Sequence, residues 1–213
     1  APQLESVDID NSISKMTEIP QSLHVIEFNI ERGTHWEKAC DLIRKSGIPD
    51  IILVNEADWG MARSNNEHVA RRMAYELGMN YAWGVEFLEL TPGTKSETDR
   101  AHIASDCPSE RRGSGFNGKI DSLGLHGNAI LSKYPLSKVH VVRSPGIEYL
   151  YGMKNDLTAQ GFELRLGGRM TLFATIQSGS NEPIHLGCFH HQMKWDSRFP
   201  KQYKLVGKPT LDK

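Results

Sequence analysis

Two carboxylates and two adjacent histidines, Glu31, Glu56, His190 and His191, have the types and placement that suit metal-assisted hydrolysis. Each follows the end of an apolar run. Ile51 to Val54 is a mostly β-branched stretch after a Gly-Ile-Pro-Asp turn, and it stops at Asn55-Glu56. Such a run reads as a strand buried on both faces. Leu23 to Phe28 alternates as a strand does and ends in Asn29-Ile30-Glu31-Arg32-Gly33, while Ile184 to Phe189 runs into His190-His191. A carboxylate at the end of a buried strand stands where ligands of α/β proteins bind. Carboxylate oxygens with an amide nearby suit Mg²⁺ or Mn²⁺, which prefer hard oxygen ligands and retain water. A histidine at the end of the last strand adds an acid or a base. Zinc is disfavoured, because adjacent strand residues point to opposite faces and only one of His190 and His191 can face the site.

The elements that must position these groups follow from periodicity. Trp36, Ala39, Cys40, Leu42 and Ile43 recur at helical spacing, with Thr34 and Glu37 as a capping box and Gly47 as the stop. Strand, helix and strand within some thirty-five residues imply a crossover and parallel neighbours, which brings Asn29, Glu31 and Glu56 to one sheet edge. Val69, Met73, Ala74 and Leu77 form the stripe of a second helix ended by Gly78. Residues 80–90 are a strong strand, and Leu125 to Leu136 gives a strand and a turn. Val139 to Val142 is a further strand, and residues 162–176 read as two strands around a Gly167-Gly168 hairpin. Ser197 to Val206 reads as a short helix. Residues 1–21 are a polar tail or edge segment, and 91–123 a long loop without apolar periodicity, expected to be mobile over the site. No repeat or linker divides the chain, so 1–213 is one domain.

Composition narrows the classes. With 38% hydrophobic and 24% charged residues the chain has a globular composition, and a net charge of −1 announces no polyanionic partner. No apolar run approaches the ~20 residues of a membrane span. The first residue is Ala1, an observation that leans toward a processed, secreted protein, although no glycosylation sequon supports it. Cys40, Cys107 and Cys188 lack metal-type spacing, and an odd number leaves at least one without an intramolecular partner. Asp58 reads as a turn cap, His126 as a loop hydrogen-bonding residue, and Trp36, Trp59 and Trp83 as core.

Four stretches, in order, resemble motifs of the endonuclease/exonuclease/phosphatase superfamily, which includes pancreatic-type deoxyribonucleases, abasic-site endonucleases, neutral sphingomyelinases and inositol polyphosphate phosphatases. Phe28 to Gly33 is similar to a strand ending in Asn-x-Asp/Glu, and Val54-Asn55-Glu56 to the motif with the principal metal ligand. Gly127 to Leu136 is similar to the Gly-x-Ala-Ile-Leu-Ser-Arg-x-Pro strand. Ile184 to His191, followed by Arg198 and Gln202, resembles the strand and helix around the catalytic histidine. The resemblance implies a deoxyribonuclease-like two-sheet α/β sandwich with outer helices and hydrolysis of a phosphodiester or phosphomonoester with Mg²⁺ or Mn²⁺. It implies Glu56 as metal ligand and Glu31 as a second acidic ligand, the latter lengthened by a methylene relative to Asp. Asn29 falls near the scissile phosphate. Of the two histidines it points to His191, because two to four strand residues usually precede the motif histidine. Asn128 could orient that histidine or contact substrate, and Arg111 and Arg112 could bind phosphate.

The family's later Gly-Asp-x-Asn and Ser-Asp-His motifs have no match here. The sequence therefore reads as a domain incomplete at its C-terminus, one that a separate chain could complete and that is weakly active at most by itself. The competing reading is a non-catalytic binding protein on the same fold. Loop 91–123 mixes Lys and Arg with Asp and Glu, so nucleic acid and phospholipid or inositol phosphate both stand as substrates.

Overall fold

The computed structural model describes residues 6–89, 124–143, 150–151, 165–177 and 182–190. The polypeptide forms β1 (Val7–Asp10), β2 (Val25–Asn29), α1 (Trp36–Ser46), β3 (Ile51–Trp59), α2 (Val69–Leu77) and β4 (Asn80–Glu89). After these come β5 (Gly124–Ser132), β6 (Leu136–Arg143), β7 (Leu150–Tyr151), β8 (Arg165–Gly167), β9 (Met170–Ile176) and β10 (Ile184–Phe189). A seven-stranded mixed sheet runs β2-β3-β5-β4-β8-β7, with β1 also on β4, and a three-stranded sheet runs β10-β9-β6.

Alternation along the strands separates two cores. Ile52, Val54, Trp83, Ala129 and Leu131 pack with Trp36, Cys40, Val69, Met73 and Leu77 of the two helices. Ile51, Ala82 and Ile130, on the opposite face, pack with Leu172, Ala174, Ile176, Leu186 and Cys188 of the smaller sheet. The architecture is an α/β sandwich of two face-to-face sheets, with α1 and α2 outside the larger one. β2 and β3 are parallel and joined through α1, with Asn29 in register with Asn55.

Several local expectations change. Residues 7–10 take the edge alternative of the two read for 1–21: they form a strand on β4, Val7 opposite Gly84 and Asp10 opposite Tyr81. Two carboxylates made this strand look polar, but Asp8 accepts hydrogen bonds from Tyr81 and Arg71. Thr34 does not cap α1. Its hydroxyl donates to the Glu31 carbonyl, and His35 stands at the N-cap without a side-chain bond. Gly167-Gly168 joins no hairpin, because β8 pairs with β4 whereas β9 pairs with β6 and β10 in the other sheet. The glycines carry the chain from one sheet to the other, and Gly167 adopts φ +133°. Loop 91–123, the helix at 197–206 and Cys107 lie outside the described residues, and Cys40 and Cys188 are both buried thiols.

Candidate active site

β3 does not stop at Glu56 but continues through it to Trp59. Val54 pairs with Ala129 and Ala57 with Gly127, so Asn55 and Glu56 together oppose Asn128. This is a β-bulge, and Glu56 is its strained member at φ +62°. An L-residue in that region costs on the order of 1 kcal/mol or more, and such strain concentrates at functional positions. The bulge survives because Asn128, wholly buried, accepts the Glu56 backbone N–H at 3.3 Å. Asn55 is buried as well and donates to Glu27 Oε1 at 2.8 Å, tying β3 to β2.

At the bulge three side chains meet. Asn29 Nδ2 donates to Glu56 Oε1 at 3.0 Å. His190 Nε2 lies 3.5 Å from the same oxygen, with both side chains about one-fifth exposed. Asn29 is itself oriented, since its Oδ1 accepts the Glu31 backbone N–H at 2.9 Å. Glu31 and Arg32 adopt φ +48° and +65°, a second strained turn beside the first. Burial alone would raise the Glu56 pKa, but the Asn29 hydrogen bond and the charges of His126, His190 and Arg32 hold it below the ordinary carboxylate value. His190 is shifted down, first by burial and then by Arg169, against the pull of Glu56.

Beneath the site lies a second acidic bulge. Val85 pairs with Gly127 and Phe87 with His126, which leaves Glu86 as the extra residue of β4. Both strands flanking β5 thus insert a glutamate, Glu56 opposite Asn128 and Glu86 between the partners of Gly127 and His126. Glu86 is fully buried, Oε1 accepting from Arg169 Nη1 at 2.9 Å, and burial pushes its pKa up to about 7. Among the described residues its Oε2 has no hydrogen-bond partner, and it faces His126 Nε2 at 4.0 Å. His126 Nδ1–H donates to Asp58 Oδ1 at 2.7 Å, and Asp58 in turn pairs with Arg63. Arg63 also reaches Glu89, which accepts from Arg165.

The sequence-derived candidates divide accordingly. Asn29, Glu56 and His190 come together. Glu31 contributes its backbone N–H to the arrangement. Asn128 is fully buried, and its carboxamide oxygen accepts the Glu56 backbone N–H and supports the bulge. His191, Arg111 and Arg112 lie outside the described residues. Asp58 and His126 are buried partners rather than turn or loop residues, and Trp59 is 38% exposed, stacked on His68, while Trp36 and Trp83 are core. Glu86 and Arg169 were not singled out. A carboxylate inside the apolar run of β4 was the available signal, since a buried charge requires a partner. The inward alternation of Leu186 and Cys188 likewise marked His190 as the next inward residue.

No family model matches this chain, and no curated protein does. Among solved structures it is similar to the endonuclease/exonuclease/phosphatase from Beutenbergia cavernae DSM 12333, with a TM-score of 0.44 and 16% identity. The match covers 79% of this chain and 38% of that one, so this chain spans well under half of that protein's length. No helix among the described residues is long and apolar enough to cross a membrane.

Proposed function

We propose that this chain acts in divalent-metal-dependent hydrolysis of a phosphate ester, with Mg²⁺ or Mn²⁺ as the ion. The observation that carries the reading is the Glu56 carboxylate, projected from a strained bulge between the Asn29 amide and the His190 imidazole. The donor set fits these ions. Mg²⁺ is commonly held by one or two carboxylates together with water and substrate phosphate oxygens. Among the described residues no three His, Cys, Asp or Glu side chains gather around one point, so water and substrate oxygens would complete the shell that Glu56 begins. Glu56 would hold the ion, which when bound would neutralise phosphate charge and activate water.

The protein's own groups have distinct roles in this reading. Asn29 keeps Glu56 turned outward and presents an amide to the phosphate. His190 contacts a phosphoryl oxygen or protonates the leaving oxygen. Substrate is a phosphodiester or phosphomonoester, drawn from nucleic acid or from phospholipid and inositol phosphate. The test is product release from bis(p-nitrophenyl) phosphate, plasmid DNA, sphingomyelin and an inositol polyphosphate, with Mn²⁺ or Mg²⁺ and with chelator. Chelator-sensitive turnover lost in Glu56→Gln supports the reading. Turnover that ignores both chelator and Glu56→Gln contradicts it.

A further inference from the structure

Arg169 stands where the two sheets meet, immediately after the glycine pair that crosses between them. A Cβ on Gly167 would lie 2.4 Å from the Glu86 carbonyl oxygen, and the Gly168 N–H donates to that oxygen at 3.1 Å. The backbone is therefore pressed against the β4 bulge, and this sets the Arg169 guanidinium over its carboxylate. One nitrogen of that guanidinium, Nη1, serves two neighbours: Glu86 Oε1 at 2.9 Å and His190 Nδ1 at 2.8 Å.

The second contact fixes a proton. Arginine carries donors only and does not deprotonate in proteins. At 2.8 Å from Nη1, His190 Nδ1 must accept, so it bears the lone pair. The ring proton is then on Nε2, the nitrogen that faces Glu56 Oε1. We infer that Arg169 is a positioning residue which fixes His190 as a hydrogen-bond donor through Nε2 and bars that nitrogen from general-base duty. Glu86 acts one step behind, holding Arg169 in place. In the proposed hydrolase, on which this role rests, the Nε2–H serves a phosphoryl or leaving oxygen and water activation falls to other groups.

The geometry explains an otherwise expensive arrangement. A buried carboxylate and a guanidinium at the join of two sheets are costly to desolvate, and in the inferred role the return is a fixed orientation of His190. The charges that act on His190 are those of Arg169 and Arg165, which lower its pKa, and of Glu56 and Glu27, which raise it. Only Arg169 touches Nδ1 among the contacts of the described residues.

The test is long-range proton–nitrogen correlation on the whole chain labelled with ¹⁵N-histidine, the His190 signals assigned by their absence in His190→Gln. At one alkaline pH, where the ring is neutral, wild-type Nδ1 should show an unprotonated shift and Nε2 a protonated one. Arg169→Met should let the proton distribute over both nitrogens, whereas Arg169→Lys should keep it on Nε2. A wild-type Nδ1 that carries a proton, or Arg169→Met spectra identical to wild type, would overturn the inference. The wild-type spectrum decides this even where Arg169→Met fails to fold. Hydrolysis assays separate the two claims. A locked tautomer released by Arg169→Met without any turnover sustains the positioning role and removes the hydrolase. Glu56-dependent turnover with His190 indifferent to Arg169 does the reverse.

Discussion

Arg63 Nε lies 2.6 Å from Asp58 Oδ2, and both side chains are entirely withdrawn from solvent. The same guanidinium bonds Glu89 through Nη2 at 3.0 Å, so one cation bridges two buried carboxylates on β3 and β4, the strands on either side of β5. Removing it while leaving the carboxylates buried is expected to cost about 3–5 kcal/mol. Arg63→Met should show that loss in equilibrium denaturation, with the double variant Arg63→Met/Glu89→Gln recovering part of it. A single variant as stable as wild type would mean that the network adds nothing to folding.

Gly127 is required by close approach. A Cβ there would sit 2.0 Å from the Gly84 carbonyl oxygen and 2.9 Å from the Trp83 ring. Backbone cannot move aside as a side chain can, and Gly127 pairs with both bulged strands, opposite Ala57 and Val85. Gly127→Ala should therefore destabilise by at least about 3 kcal/mol, measured by urea unfolding. Gly47→Ala is the control: nothing lies within 4 Å of a Cβ there, although φ is +89°. It should cost less, on the order of 1 kcal/mol.

These two positions show what the sequence makes legible. The apolar periodicities of α1, α2, β3, β4 and β5 are visible because each element buries a continuous stripe or face. The candidate residues Asn29 and Glu56 are legible from the ends of such runs. The bulges were not visible, because inserting Glu56 or Glu86 depends on pairing with β5, a strand distant in sequence. Gly167-Gly168 carries the same local signal whether it closes a hairpin or crosses between sheets, and only pairing partners distinguish them. β1 was obscured by Asp8 and Asp10, whose partners Arg71, Tyr81 and Tyr75 come from elsewhere in the chain.

His68 should govern part of the acid limb of stability. Its Nδ1 accepts the Arg71 backbone N–H at 3.3 Å as the N-cap of α2, and this requires an unprotonated nitrogen. Burial lowers its pKa from 6.5 to about 4, despite Asp8 beside Nε2. Below pH 6.5 the unfolded chain takes up a proton that the folded chain refuses, so stability falls as pH drops toward 4. The contribution is at most about 3 kcal/mol at full protonation of the unfolded state. His68→Asn keeps a capping side chain without titrating. Its denaturation midpoint should depend less on pH between 6.5 and 4 than that of wild type, and an unchanged slope would contradict the assignment.

The central claim is that Glu56 is the anchor of a divalent-metal site, and titration calorimetry of the whole chain with Mn²⁺ tests it most directly. Wild type should bind Mn²⁺ with an affinity that Glu56→Gln lowers at least about tenfold, or ~1.4 kcal/mol. Glu86→Gln, one layer below, should change it less. Equal Mn²⁺ affinity for wild type and Glu56→Gln, with both folded, would contradict the account.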